Sequence, residues 1–198
     1  SFRMEGPIDM RMDRSSGPTA LDLIEDLDQQ DLADLIYTLG EERRSRGIAR
    51  CIKQASDAGQ LKNTRDLRRA VIRAYGPRKV GGVDPATRTF QALRIAVNDE
   101  LGQLKELLSA APGLLRDGGI AAIISFHSLE DRLVKRAFLV RDVWERLSKK
   151  PVIASTDERA SNPRSRSAKL RVARRVSASM LEEGELTEED EAGEEEDS

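Results

Sequence analysis

Cysteine and histidine are nearly absent from these 198 residues, which hold only Cys51 and His127. A lone cysteine excludes an internal disulfide and a Cys-cluster zinc site, and it points to a reducing, cytosolic setting. Aromatic residues make up 4%, too few for a large RNA-stacking sheet. No run of about eighteen apolar residues occurs, and no basic–apolar–small leader pattern is found. Membrane and secreted classes are therefore not expected, and a membrane partner is not expected either. Nor is there a Gly-x-Gly-x-x-Gly segment, a phosphate-binding Walker loop or a spaced His/Cys/Asp set for a metal.

Charge of one sign is missing locally rather than globally. The 33 basic and 35 acidic residues nearly cancel, yet Leu181–Ser198 holds eleven acids and no base. Residues 1–180 carry 33 basic against 24 acidic side chains, and 132–180 alone carry 14 against 4. A basic body is joined to an acidic tail, which is expected to be disordered from about Ser177. The length suits one domain, or one domain with a helical insertion. The chain opens on Ser1 rather than Met, as a trimmed chain or the continuation of a longer one would.

Residues up to Pro18 read as loop, with Asp9-Met10-Arg11-Met12-Asp13 either a short strand or a loop anchored by two Met side chains. Helical signals follow. Thr19 with Asp22 forms a capping box, Leu32, Leu35, Ile36 and Leu39 make one apolar stripe ended by Gly40, and a segment from Glu41 closes at Gly59. A further helix starts at Asn63 or Thr64 and stops at Gly76-Pro77, before a Gly-rich link at Lys79–Val83. The longest helix is expected from Asp84-Pro85, with Phe90, Leu93, Val97, Leu101, Leu104 and Leu108 at spacings of three and four, interrupted by Pro112-Gly113.

Beyond the turn Asp117-Gly118-Gly119, the apolar run Ile120–Ile124 suits a buried parallel strand, and Ser128 with Asp131 suits the cap of a following helix. Short strands are expected at 151–154 and 167–173. Helix, turn, strand and capped helix together predict a doubly wound α/β sheet.

Three places carry candidate chemistry. Ser125-Phe126-His127-Ser128 lies at the carboxyl end of a strand, where α/β sheets bind ligands, although a local cap explains it equally. A Ser128-His127-Asp131 triad is excluded, because neighbouring residues cannot line up nucleophile, base and orienter. Thr87, Gln91, Arg94 and Asn98 form a polar stripe that either faces solvent or contacts phosphates and base edges. Asn162-Pro163-Arg164-Ser165-Arg166 opens a basic loop that suits phosphate contact, or is merely a solvated surface.

Five ordered segments carry a resemblance: Gly6–Asp13, Gly40–Arg43, Pro85–Ile95, Ser125–Arg132 and Asn162–Arg171. Together they resemble the bacterial small-subunit (16S) ribosomal RNA cytosine-N4 methyltransferase family over roughly residues 1–176. The resemblance implies a Rossmann-like class I methyltransferase sheet interrupted by an all-helical insertion. Residues 1–18 would be a catalytic-domain loop, 19–87 the insertion, 88–176 the C-terminal part of the methyltransferase domain, and 177–198 the acidic tail. It also implies S-adenosylmethionine as cofactor of the intact enzyme, 16S rRNA in the small ribosomal subunit as partner, no metal and a cytoplasmic location.

The family's glycine-rich Gly-Gly-His and Asp-Leu-Gly-x-Ser-Ser segments have no counterpart here. The chain therefore resembles a C-terminal fragment, and no cofactor-binding residue is assigned. On this resemblance Asp9 and Asp13 are candidate acceptors for the amine hydrogens, with Ser125 and His127 lining the base pocket. Arg88, Gln91, Arg94, Asn98, Asn162, Arg164 and Arg166 are candidates for RNA contact. The competing class is a non-catalytic RNA-binding or ribosome-assembly protein that uses the same basic surface.

Overall fold

The computed structural model describes residues 5–76 and 84–176. The Gly-rich link at 79–83 and the acidic tail lie outside the described residues. The chain divides into two compact units, Ser1–Glu100 and Leu101–Ser198.

The first unit is helical: α1 (Ala20–Asp26), α2 (Gln29–Gly40), α3 (Ser45–Asp57), α4 (Thr64–Arg73) and α5 (Thr87–Asn98). Local chemistry fixes two starts, the first as the sequence predicts and the second deciding between Asn63 and Thr64. Thr19 and Asp22 exchange the two bonds of a capping box before α1, and Asn63 and Asp66 do the same before α4. Ile24, Leu32, Ile36, Ile48, Ile52, Leu67, Val71, Phe90 and Leu93 meet in one core. Segment 6–9 is held against it, with Ile8 buried. The Ile8 and Asp9 carbonyls accept from Leu21 and Ala20, and the Gly6 carbonyl accepts from Thr64.

The expected long helix is two helices. The first starts at Thr87, not at Pro85: Asp84 instead closes a turn, its carboxylate accepting from the Ala86 amide and its carbonyl from that of Thr87. It ends at Asn98, because Asp99 takes a left-handed conformation (φ 46°). Helix α6 (Glu100–Leu114) then begins, and it contains Pro112 rather than ending there. Apolar spacing runs unbroken across Asp99, because side-chain periodicity is blind to a single reversed φ, and Asp is among the few residues that adopt one readily.

The second unit adds β1 (Ile120–Ser125), α7 (Ser128–Ala137), β2 (Trp144–Arg146), β3 (Val152–Ile153), α8 (Thr156–Ser161), a 3₁₀ turn (Pro163–Ser167) and β4 (Lys169–Arg175). Strand β4 is central, paired antiparallel with β1 (Ile120 opposite Arg174, Ile124 opposite Leu170) and with β2 and β3. This corrects the expected buried parallel strand. The described sheet is small and antiparallel, and Ile120 and Ile124 are 47% and 57% exposed. An apolar run shows that a strand can be buried, not which way its neighbour runs. The inner face packs Leu108, Val134, Phe138, Trp144 and Ala173 together, with the Phe138 and Trp144 rings 5.2 Å apart.

Candidate functional site

The first group of candidate residues surrounds the 9–13 segment, which is a loop rather than a strand. Met10 sits at φ 62°, a left-handed conformation that turns the backbone sharply between the two aspartates. The Asn98 side chain holds that turn. Its Nδ2 donates to the Met10 carbonyl (2.9 Å) and the Arg94 carbonyl (2.8 Å), while its Oδ1 accepts from the Met12 amide (2.7 Å). Both amide hydrogens and the carbonyl of Asn98 are thereby engaged within the protein. Asn98, a candidate for RNA contact, positions the loop within the protein. Asn98→Ala is expected to remove about 1–2 kcal/mol of stability, read as a lower urea midpoint, with the Met10 and Met12 methyl NMR signals displaced. Unmoved signals would contradict this role.

Around that turn both carboxylates are held ionised. The Arg11 hydrogen bond, at 2.7 Å from its Nε to Oδ1, keeps the Asp9 carboxyl below its ordinary value against the opposing effect of desolvation. The Ser15 hydroxyl (2.6 Å) and amide (2.9 Å) lower that of Asp13. Asp9 is engaged at both oxygens by Arg11. Asp13 is exposed, and both Ser15 bonds converge on its Oδ1.

Arg88, Gln91 and Arg94 on α5 also bond within the first unit. Arg88 Nη1 donates to the Glu41 carbonyl (3.2 Å) and Gln91 Nε2 to that of Leu39 (3.4 Å), closing the end of α2. Arg94 makes a two-pronged pair with Glu100 (2.6 and 2.9 Å).

The second group lies in the other unit. Ser125 is buried at the end of β1 with its hydroxyl 3.4 Å from the Lys169 carbonyl. His127, not Ser128, caps α7. Its Nδ1 accepts from the Glu130 amide (3.4 Å), while Glu130 Oε2 accepts from the Phe126 and His127 amides. The turn amides after β1 are thus turned onto Glu130. Asn162 Oδ1 accepts from the Arg164 amide (3.3 Å), and its carbonyl accepts from Ser165 (2.8 Å to the hydroxyl), which folds the basic loop into a 3₁₀ turn. Arg164 and Arg166 project from that turn, exposed, and make no ion pair among the described residues.

Sequence analysis missed the cluster behind this turn. Asp131 is 8% exposed and accepts from Arg171 Nε (2.7 Å), Arg171 Nη2 (3.2 Å) and Lys169 Nζ (3.1 Å), joining α7 to β4. Burial pushes the Asp131 carboxyl up, but the Arg171 and Lys169 bonds and charges outweigh it and leave it below its ordinary value. The only signal in the sequence is one of two acids in the first turn of a helix and two of the four bases on a distant strand.

Among known proteins, the family model described as "MraW methylase family" matches residues 1–176. The "Ribosomal RNA small subunit methyltransferase H" of Sorangium cellulosum is 69% identical over 176 residues, covering 89% of this chain and 56% of that protein. Proteins of the same name from Synechococcus sp. (strain WH7803) and Deinococcus radiodurans are 58% and 54% identical, with 60% and 56% of their lengths covered. The chain thus spans rather more than half the length of these relatives.

Proposed function

Because the chain belongs to the MraW methylase family, we propose that it works as part of an enzyme that methylates small-subunit ribosomal RNA. The reaction we assign is transfer of a methyl group from S-adenosylmethionine to the exocyclic N4 amine of a cytidine in 16S rRNA. The observation that carries this is the match over residues 1–176, which includes the clamped 9–13 loop and the capped turn after β1. Cytoplasmic action on the subunit follows from that substrate. No helix among the described residues is long and apolar enough to cross a membrane.

The described residues do not build a site for S-adenosylmethionine. No strand among them runs into a glycine-rich turn, and the amides after β1 are donated to Glu130. No step is therefore assigned to the donor here. What these residues supply is the substrate side. A cytosine N4 amine is weakly nucleophilic because its lone pair is delocalised into the ring. Carboxylates that accept its hydrogens orient the amine and oppose that delocalisation. In this proposal Asp13, ionised and exposed, accepts an N4 hydrogen, while Asp9 and Arg11 fix the loop that presents it. Ser125 and His127 are assigned to the substrate through the backbone of the turn after β1 that they hold, and the target base leaves its stack to react. Arg164 and Arg166 contact phosphate, with Asn162 shaping their turn.

We assign residues 1–18 and 88–176 to the methyltransferase domain and 19–87 to the insertion. The shared core of α1–α4 supports a separate helical body, which α5 extends to Glu100 by packing on α2.

The test is methyl incorporation by the complete gene product into small subunits that lack the modification. Transfer is expected with the unaltered protein, and a fall of at least 100-fold in kcat is expected for Asp13→Ala, a range typical of an acceptor acting in the transition state. RNA binding without any methyl transfer would favour the non-catalytic class.

A further inference from the structure

The helical unit is divided electrically. Residues 15–42, which include α1 and α2, carry eight acidic side chains and no basic one, whereas 43–73, which include α3 and α4, carry ten basic and two acidic. Neither block shows in the net charge, because they cancel. Between α3 and α4 lies an open groove of about 640 Å³ bordered by Lys62, Arg69 and Arg73.

Arg73 spans the groove, with Nη2 donating to the Cys51 carbonyl (2.8 Å) and to Gln54 Oε1 (3.1 Å) on α3. Arg46, Arg50 and Gln54 follow at four-residue spacing along α3, so the arginine row continues from Arg73 onto that helix. Arg46 and Arg50 are exposed and make no ion pair among the described residues. The one acid in the groove wall, Asp66, caps α4 and pairs with Arg69 (2.6 Å).

We propose that this α3–α4 face docks RNA through its phosphates, as a contact surface separate from the Arg164–Arg166 turn. The proposal rests on the methyltransferase reading for its choice of partner. Three features favour phosphate over an acidic protein surface. The cations are mainly arginine, whose fork matches phosphate oxygens. The apolar residues of the groove are only Ala55, Ala58 and Ala70, so there is no large pocket or anchor of the kind that carries protein interfaces. The acidic α1–α2 side repels a polyanion and so restricts how it approaches.

The experiment compares two variants of the complete gene product with equal changes in net charge, binding in vitro transcribed small-subunit rRNA over a series of salt concentrations. Arg46→Gln with Arg50→Gln is expected to weaken binding at least fivefold and to flatten the slope of log affinity against log salt by about 1.5. Gln29→Glu with Thr38→Glu, on exposed positions of α2, is expected to change affinity less than twofold. Equal effects from both, or none from the arginine pair, would overturn the proposal. So would weaker binding to intact subunits with unchanged binding to the stripped RNA, which would assign the face to a protein partner. Methyl transfer is read separately. Its absence in the unaltered protein, with the arginine effect on RNA binding intact, would reject the enzymatic reading and leave this surface standing.

Discussion

Asp131→Ala is expected to destabilise the 198-residue chain by about 3–5 kcal/mol, because it leaves Arg171 charged and buried without its partner. Arg171 is 9% exposed, and its two bonds to Asp131 join β4 to the first turn of α7. The loss is expected as a lower urea midpoint followed by Trp144, the single tryptophan, which lies in the core of the same unit. A double variant, Asp131→Leu with Arg171→Met, is expected to recover much of the loss, since apolar side chains replace the buried pair without an orphaned charge. If the single variant is as stable as the parent, or the double variant is worse than the single, the buried-charge account is wrong.

The same pair has a pH signature of definite sign. A carboxyl lowered in the folded state binds fewer protons there than in the unfolded chain, so its contribution is complete above the ordinary value of 3.8. It is lost as pH falls through the folded value. Asp131→Asn is therefore expected to flatten the acid limb of the stability curve of this unit, with no matching change on the alkaline side.

Gly40→Ala is expected to cost about 3 kcal/mol through overpacking. A methyl group at Gly40 would lie 2.7 Å from the Arg88 carbonyl oxygen and 3.3 Å from the Ala92 side chain. The first neighbour is backbone inside α5, so relief requires α2 and α5 to separate. Separation would also draw Arg88 and Gln91 away from the Glu41 and Leu39 carbonyls they close. Gly47 in α3 is the control: an added methyl would meet only the Ala74 side chain, at 3.9 Å. Gly47→Ala is expected to gain about 0.5–1 kcal/mol from helix propensity. Urea unfolding followed by helical circular dichroism separates the two, and equal stability of both variants would contradict the close approach.

What could be read along the chain depended on how far the physics reaches in sequence. The Thr19–Asp22 cap is decided within four residues and is legible, whereas at α4 the sequence leaves Asn63 and Thr64 open as the start. His127 acts at the same range, but imidazole is an uncommon cap and Ser128 beside it has the more usual chemistry. The Gly40-Glu41-Glu42-Arg43 segment carries part of the family resemblance, and the sequence alone holds no physical reason for it. The structure supplies one: Gly40 admits α5, Glu41 ends α2 in a left-handed conformation, and buried Glu42 accepts from the Tyr75 hydroxyl (2.9 Å). Burial, and then that bond, push the Tyr75 hydroxyl up to about 12.

Asn98 shows the limit most clearly. Two of its three partners lie 86 and 88 residues away in the chain, so the helical stripe shows only a polar residue. The charge division of the helical unit was hidden for a different reason. Summing over 1–180 adds the acidic α1–α2 block to the basic α3–α4 block, and only the fold shows that they occupy different helix pairs.

The identity of the methylated atom decides the proposed reaction. The most direct measurement is nucleoside mass spectrometry of 16S rRNA from modification-deficient small subunits, after incubation with the complete gene product and isotopically labelled S-adenosylmethionine. The account predicts labelled N4-methylcytidine, lost when Asp13 is replaced by alanine. Label on the base carbon or the ribose, or N4-methylcytidine formed undiminished by Asp13→Ala, would contradict it.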